Sequence, residues 1–158
     1  MKNMTIGVDP GMSGALAILE GERLIQIIDM PVVEVEINGK LKRRISPEML
    51  VSELGMYLDF VTCAYVEKVS AMPGQGVSSM FAFGEALGLI RGIFAGLRVP
   101  CFLVPPSAWK RTLKVPQGKD ASRAMAAQLW PLNAAEFKRV KDDGRAEAAL
   151  IALWGSRQ

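Results

Sequence analysis

Histidine is absent from this 158-residue chain. That excludes Ser-His-Asp triads, Cys-His nucleophiles and the usual zinc sites. Any acid–base or metal chemistry is left to Asp and Glu. Cysteine is scarce: Cys63 and Cys101 are the only two, both inside apolar runs that read as strands. They are expected as reduced core thiols, not as a disulfide or a metal pair. Charged residues make up only 22% and hydrophobic residues 50%, the pattern of a globular chain able to bury a sizeable core. No signal peptide is visible, because Lys2 is followed by a short apolar run that ends at Asp9. The longest apolar helix candidate, 80–97, is interrupted by Glu85 and Arg91 and makes a poor membrane span. One domain over 1–158, cytoplasmic and without a membrane partner, is the expectation.

A net charge of +3 permits a polyanionic partner without requiring one. The cations cluster at Lys40, Lys42, Arg43 and Arg44, at Lys110, Arg111, Lys114 and Lys119, and at Lys138, Arg139 and Lys141.

The run MTIGVD at 4–9 reads as a buried strand closed by Pro10-Gly11, followed by strands at 14–19 and 23–29. Tight turns make these three an antiparallel meander. Residues 32–45 predict a further hairpin about Asn38-Gly39, a type I′ signal, with acidic residues facing basic ones. Ser46-Pro47-Glu48 starts a helix that should run to about Phe60. Strands at 62–67 and 101–104 flank a long helix from about Val77 to Leu97. Helices near 106–113, 119–130 and 143–155 complete the chain. Three antiparallel strands followed by strand–helix alternation predict an α/β fold: a five-stranded mixed sheet, antiparallel then parallel, with helices on both faces.

Two acids end buried strands. Asp9 stands immediately before Pro-Gly, and Glu67 before Lys68 and a loop. If their strands are neighbours, both carboxylates emerge at one sheet edge, where ligand sites of α/β proteins lie. Asp143 and Glu147 are four apart at the start of the last helix and share a face. Acids there also suit the helix dipole, which is the purely structural explanation of Asp142 and Asp143. Four carboxylates without histidine match hard divalent ions such as Mg²⁺ or Mn²⁺. Two such ions about 4 Å apart can activate water and stabilise the leaving oxygen of a phosphodiester.

These residues carry a family resemblance. IGVDPGMSGALAI resembles the opening motif of RuvC-like Holliday-junction resolvases. AYVEKV at 64–69 resembles their second acidic motif, and DDGRAEAALIAL at 142–153 their C-terminal acidic helix, with Glu147 where the family usually has Asp. The short length and the PSAWK stretch look most like the phage and prophage branch, which would put the chain in a bacterial or phage-infected cell. The resemblance implies an RNase H-like core, two Mg²⁺ ions, and a homodimer that cuts four-way DNA junctions or other branched DNA. It carries Asp9, Glu67 and Glu147 over as metal ligands, and Asp143 to a place where relatives have His or Asp. Lys110 and Lys119 fall where the family meets DNA near the cut; Lys114 and the arm at Lys42, Arg43 and Arg44 are further DNA-binding candidates. Trp109 reads as a core anchor. The aromatic wedge that some relatives place after the second acidic motif is missing.

Gly84, Gly88, Gly92 and Gly96 recur every fourth residue of one helix. Each costs about 1 kcal/mol against Ala, so the stripe needs a compensation: close packing on the chain's own sheet, or a dimer seam flanked by Phe81, Leu89 and Phe94. Rival readings are an RNase H-like nuclease acting on flaps, single strands or RNA–DNA hybrids, and a catalytically inactive nucleic-acid-binding protein of the same fold. An actin-type phosphotransferase is excluded by length, since that class needs two such subdomains.

Overall fold

A computed structural model describes residues 3–68 and 70–158. Five strands form the main sheet: β1 (Met4–Asp9), β2 (Ala15–Glu20), β3 (Arg23–Asp29), β6 (Val61–Glu67) and β7 (Cys101–Val104), in the order β3-β2-β1-β6-β7. β2 pairs antiparallel with both β1 and β3, and β6 pairs parallel with β1 and β7. The expected mixed sheet is therefore present, with β1 at its centre.

The hairpin stands apart as its own two-stranded ribbon, β4 (Val32–Ile37) and β5 (Lys40–Ile45). Asn38 and Gly39 have φ of 53° and 72°, as a type I′ turn demands. The charge pairing is only partial: Glu34 faces Arg43, but Glu36 faces Leu41.

Strand alternation sends successive side chains to opposite faces. Met4, Ile6 and Val8 of β1, with Leu16, Ile18, Ala64 and Val66, form one core with helices α1 (Pro47–Leu54) and α2 (Val77–Gly96). Ala15, Ala17, Leu19, Tyr65 and Val104 face the other core, built with α3 (Pro106–Thr112), α4 (Ala121–Leu129) and α5 (Asp143–Ser156). The same alternation puts Cys101 on the α2 face and Cys63, next to Ala64, on the opposite one, so the two thiols are free and half-buried.

α1 starts as expected, with Ser46 Oγ accepting from Met49 N and Pro47 in the first turn. It ends at Leu54, shorter than the sequence suggested, at Gly55. Two 3-10 segments between α4 and α5, Pro131–Phe137 and Val140–Asp142, were not anticipated.

α5 lies directly on the sheet. Leu150, Ile151 and Leu153 are fully or almost fully buried there, each stabilising by about 1.5–3 kcal/mol. The approach to β1 is backbone-close: a Cβ on Gly7 would collide with the carbonyl of Ala148 and the amide of Ala152. At the N-terminal end, a Cβ on Gly144 would come within 2.7 Å of Ser13 O and 2.8 Å of Gly14 Cα.

α2 is different. It is long and apolar enough, by length and composition, to cross a membrane, despite Glu85 and Arg91. It packs against the sheet through Ala86, Ile90 and Phe94. The glycine stripe does not face the sheet, because a Cβ on Gly84, Gly88, Gly92 or Gly96 would meet nothing within 4 Å. Packing on the chain's own sheet therefore does not account for the stripe. Phe94, one of the expected seam contacts, is buried in the core. Leu89 is half-buried and Phe81 is 70% exposed.

Candidate active site

β1 and β6 run parallel side by side, and their last residues are Asp9 and Glu67. Alternation directs both toward the α5 face, the side opposite Val8 and Val66. The close seat of α5 on Gly7, with Gly144 against the β1–β2 turn, brings Glu147 to the same edge.

The electrostatics record the convergence. Burial pushes the Asp9 carboxyl up to about 6, reinforced by repulsion from Glu147 and opposed by the Gly11 amide and by Lys110. Burial likewise pushes Glu67 up to about 7; the Trp109 indole opposes this, while Glu147 and Asp9 add repulsion. Three carboxylates thus feel one another across a poorly solvated space. Acids with raised affinity for protons in a cleft mark functional sites more often than chance.

Two cation-bearing or donor groups come from adjacent positions of α3. Trp109 Nε1 donates to Glu67 Oε2 at 2.8 Å. Lys110 Nζ donates to Glu147 Oε1 at 3.1 Å and lies 5.0 Å from the Trp109 ring centroid. Lys110, expected to meet DNA, here partners an acid of the site.

Asp143 and Asp142 have different surroundings. Asp143 lines a cleft of about 590 Å³ together with Asp9, Met12, Ser79, Phe83 and Lys141. Its Oδ1 accepts from Arg123 Nε at 2.8 Å, so a guanidinium holds it at the cleft. Asp142 is 1% exposed and turned inward, accepting from the Arg139 amide at 2.8 Å and from the Arg139 guanidinium. Burial works against its charge, but the Arg139 bonds prevail and hold its carboxyl below the usual range. Arg145 ties this knot to Asp29 at the end of β3 and to Glu136. Of the four expected ligands, Asp9, Glu67 and Glu147 are thus brought together, and Asp143 stands on the adjoining cleft wall.

Among the described residues, no three His, Cys, Asp or Glu side chains are gathered closely enough to grip one metal ion as they stand. The donor set nonetheless fits a hard divalent cation. It is all carboxylate, and its mutual repulsion is relieved only in part by Lys110. Lys110 occupies one oxygen of Glu147, Oε1, so an ion would either take the other oxygen or displace Lys110.

The remaining candidates lie further out. Lys114 and Lys119 are exposed and border one cleft of about 610 Å³ beside α4. Lys42 and Arg43 are exposed on the hairpin, whereas Arg44 pairs with Glu85 of α2 at 3.3 Å. Arg123 and Arg145 escaped the sequence reading, which saw Arg139 only as a member of a cation cluster and not as the partner of Asp142; the role of the Trp109 N–H escaped it too. Nothing local in PSAWK distinguishes a buried indole that meets a carboxylate from one that meets a carbonyl.

No family model matches the chain. In an alignment 96 residues long that covers 57% of this chain, it is 38% identical to the Holliday junction resolvase MOC1, chloroplastic, of Chlamydomonas reinhardtii. It spans only 10% of the length of that protein. In structure it is similar to Thermus thermophilus RuvC in complex with a Holliday junction substrate, with a TM-score of 0.62, 18% identity, and 96% of this chain and 90% of the other covered. A second Thermus thermophilus RuvC structure gives a TM-score of 0.55 at 21% identity, covering 96% and 92%. These likenesses show the fold to be that of RuvC, an RNase H-like mixed sheet with helices.

Proposed function

We propose that this chain is a RuvC-like, divalent-metal-dependent endonuclease that hydrolyses phosphodiester bonds of branched DNA, four-way junctions foremost, and that it acts as a homodimer. The observation that carries the reading is the meeting of Asp9, Glu67 and Glu147 at one sheet edge, with the first two pushed up to about 6 and about 7. The MOC1 similarity supports the junction as substrate, since that relative is named a Holliday junction resolvase.

Asp9, Glu67 and Glu147, with Asp143 beside them, would hold Mg²⁺, and Mn²⁺ in its stead. Two such ions supply a water nucleophile at neutral pH and neutralise the leaving oxygen. The chain's own residues prepare for this. The sheet edge gathers the acids where cations are to bind; burial and mutual repulsion disfavour their charged forms, and a bound cation would offset both. Lys110 opposes part of the repulsion among the acids and would be free to meet a backbone phosphate if an ion took its place on Glu147. Lys114, Lys119, Lys42 and Arg43 offer further phosphate contacts, which position DNA without reading its sequence.

The homodimer reading draws on α2. Its glycine stripe faces open space, and Val77, Met80, Phe81 and Phe83 are exposed near its start. A two-fold dimer would match a junction's two equivalent strands.

The test is a cleavage panel of end-labelled junctions, forks, flaps, duplexes and RNA–DNA hybrids in Mg²⁺ and in Mn²⁺, with sedimentation equilibrium alongside. Paired symmetric cuts in junctions are expected. Preference for flaps, single strands or hybrids would replace the junction reading with that of another RNase H-like nuclease. Binding without cutting in either metal would leave an inactive binding protein.

A further inference from the structure

Two buried tryptophans of this protein use their indole N–H groups differently. Trp130 donates to a backbone carbonyl, Glu22 O, at 2.9 Å. That is an ordinary way to satisfy a buried donor. Trp109 is fully buried, yet donates to the carboxylate of Glu67 at the site.

We propose that Trp109 is a positioning residue that fixes the orientation of the Glu67 carboxylate, holding Oε2 so that Oε1 is presented to the ion. The inference rests on the metal-dependent reading above. An indole N–H donates and cannot accept, so it binds the ionised acid in one sense only. The ring is fully buried in the core that α3, α4 and α5 form with the sheet. A glutamate side chain at a strand end has three torsions to wander through; an anchored donor removes that freedom. The N–H also works against the burial and repulsion that favour the protonated acid. Lys110, the next residue of α3, reaches Glu147. One turn of a short helix thereby sets two of the site's acids, one by a rigid neutral donor and one by a flexible cation that can leave.

The experiment replaces Trp109 by β-(3-benzothienyl)alanine, which keeps the bicyclic shape and has sulfur in place of N–H; Trp109→Phe is the encoded companion. Mn²⁺ binding is read by electron paramagnetic resonance of the free ion, beside near-ultraviolet circular dichroism and junction binding in EDTA. The isostere should weaken Mn²⁺ roughly 10- to 100-fold, the usual effect of losing a ligand's outer hydrogen bond, with the dichroism and EDTA-state binding unchanged. Raising Mn²⁺ should restore cleavage. In a Glu67→Gln background the same replacement should alter Mn²⁺ affinity less than about twofold, because the residue it acts through is gone. Wild-type affinity in the isostere overturns the proposal and leaves Trp109 a packing residue. A wild-type protein that takes up no Mn²⁺ overturns the metal reading itself, and the positioning role with it.

Discussion

α5 and α2 are the two longest helices, both rich in glycine and alanine, and they use those small residues for opposite ends. On α5 the missing side chains let backbone touch backbone: Gly144 sits on the β1–β2 turn, and Gly7 of β1 admits the helix at Ala148 and Ala152. On α2 the four spaced glycines touch nothing. The first arrangement sets distances within one chain and so sets the acid cluster. The second offers a smooth ridge outward. The same composition is a fastening in one place and a free face in the other, and only contacts tell which.

The largest effect should come from the chemistry that α5 delivers. Glu147→Gln, like Asp9→Asn, should cut junction cleavage roughly a thousandfold, equivalent to several kcal/mol of lost charge stabilisation, with binding in EDTA retained. Normal cleavage by either variant would detach the helix from the site.

Next comes the seat of the helix. Gly7→Ala should cost about 3 kcal/mol, or roughly 10 °C in Tm, because neither backbone group it meets can retreat. A thermal melt that moves by a degree or two would show that α5 rides more loosely than Gly7 implies.

The start of α5 separates stability from activity. Asp142→Asn should lower stability by about 2 kcal/mol through the broken Arg139 bonds, while leaving cleavage within about threefold of normal. Asp143→Asn should do the reverse, with cleavage down about tenfold or more and the melt nearly unchanged. An exchange of these phenotypes would mean that Asp142 turns outward in the working enzyme.

The lysines follow. Lys114→Ala and Lys119→Ala should each reduce the slope of log K against log salt by about one phosphate contact. An unaltered slope would assign both to solvent.

The smallest effect tests the free ridge. Gly88→Ala should stabilise the monomer by up to about 1 kcal/mol through helix propensity alone, read at protein concentrations below self-association. Gly88→Leu should weaken any dimer seen by sedimentation while leaving helicity intact. A destabilising Gly88→Ala would show a backbone against the ridge after all.

Much of this was legible in the sequence because it depends on local signals. Apolar runs closed by turn residues marked the central strands and alternation the outer ones, Asn38-Gly39 the hairpin, Ser46-Pro47 a helix start, and acids at strand ends two candidate members of the site. Spacing favoured Asp143 over Asp142 as the companion of Glu147; the structure sets Asp143 on the adjoining cleft wall and turns Asp142 inward. What stayed hidden depends on partners distant in sequence. Arg123 meeting Asp143, Arg145 joining Asp29 to Asp142, and Trp109 meeting Glu67 leave no periodic trace. The spacing of the α2 glycines likewise did not tell a seat on the sheet from an outward ridge. The 3-10 segments at 131–142 lack the apolar period by which a longer helix announces itself.

The contact between β1 and α5 joins residues more than a hundred positions apart. On a ribosome adding about 5–20 residues per second, Asp9 waits on the order of ten seconds for Glu147 to emerge. Through that interval the sheet's other strands can pair, yet the acid cluster has no third member. A contact so non-local also forms late in folding, after its loop-closure entropy has been offset by nearer pairings. A nascent copy of the chain therefore carries strands and a partial core before it carries a complete acid cluster.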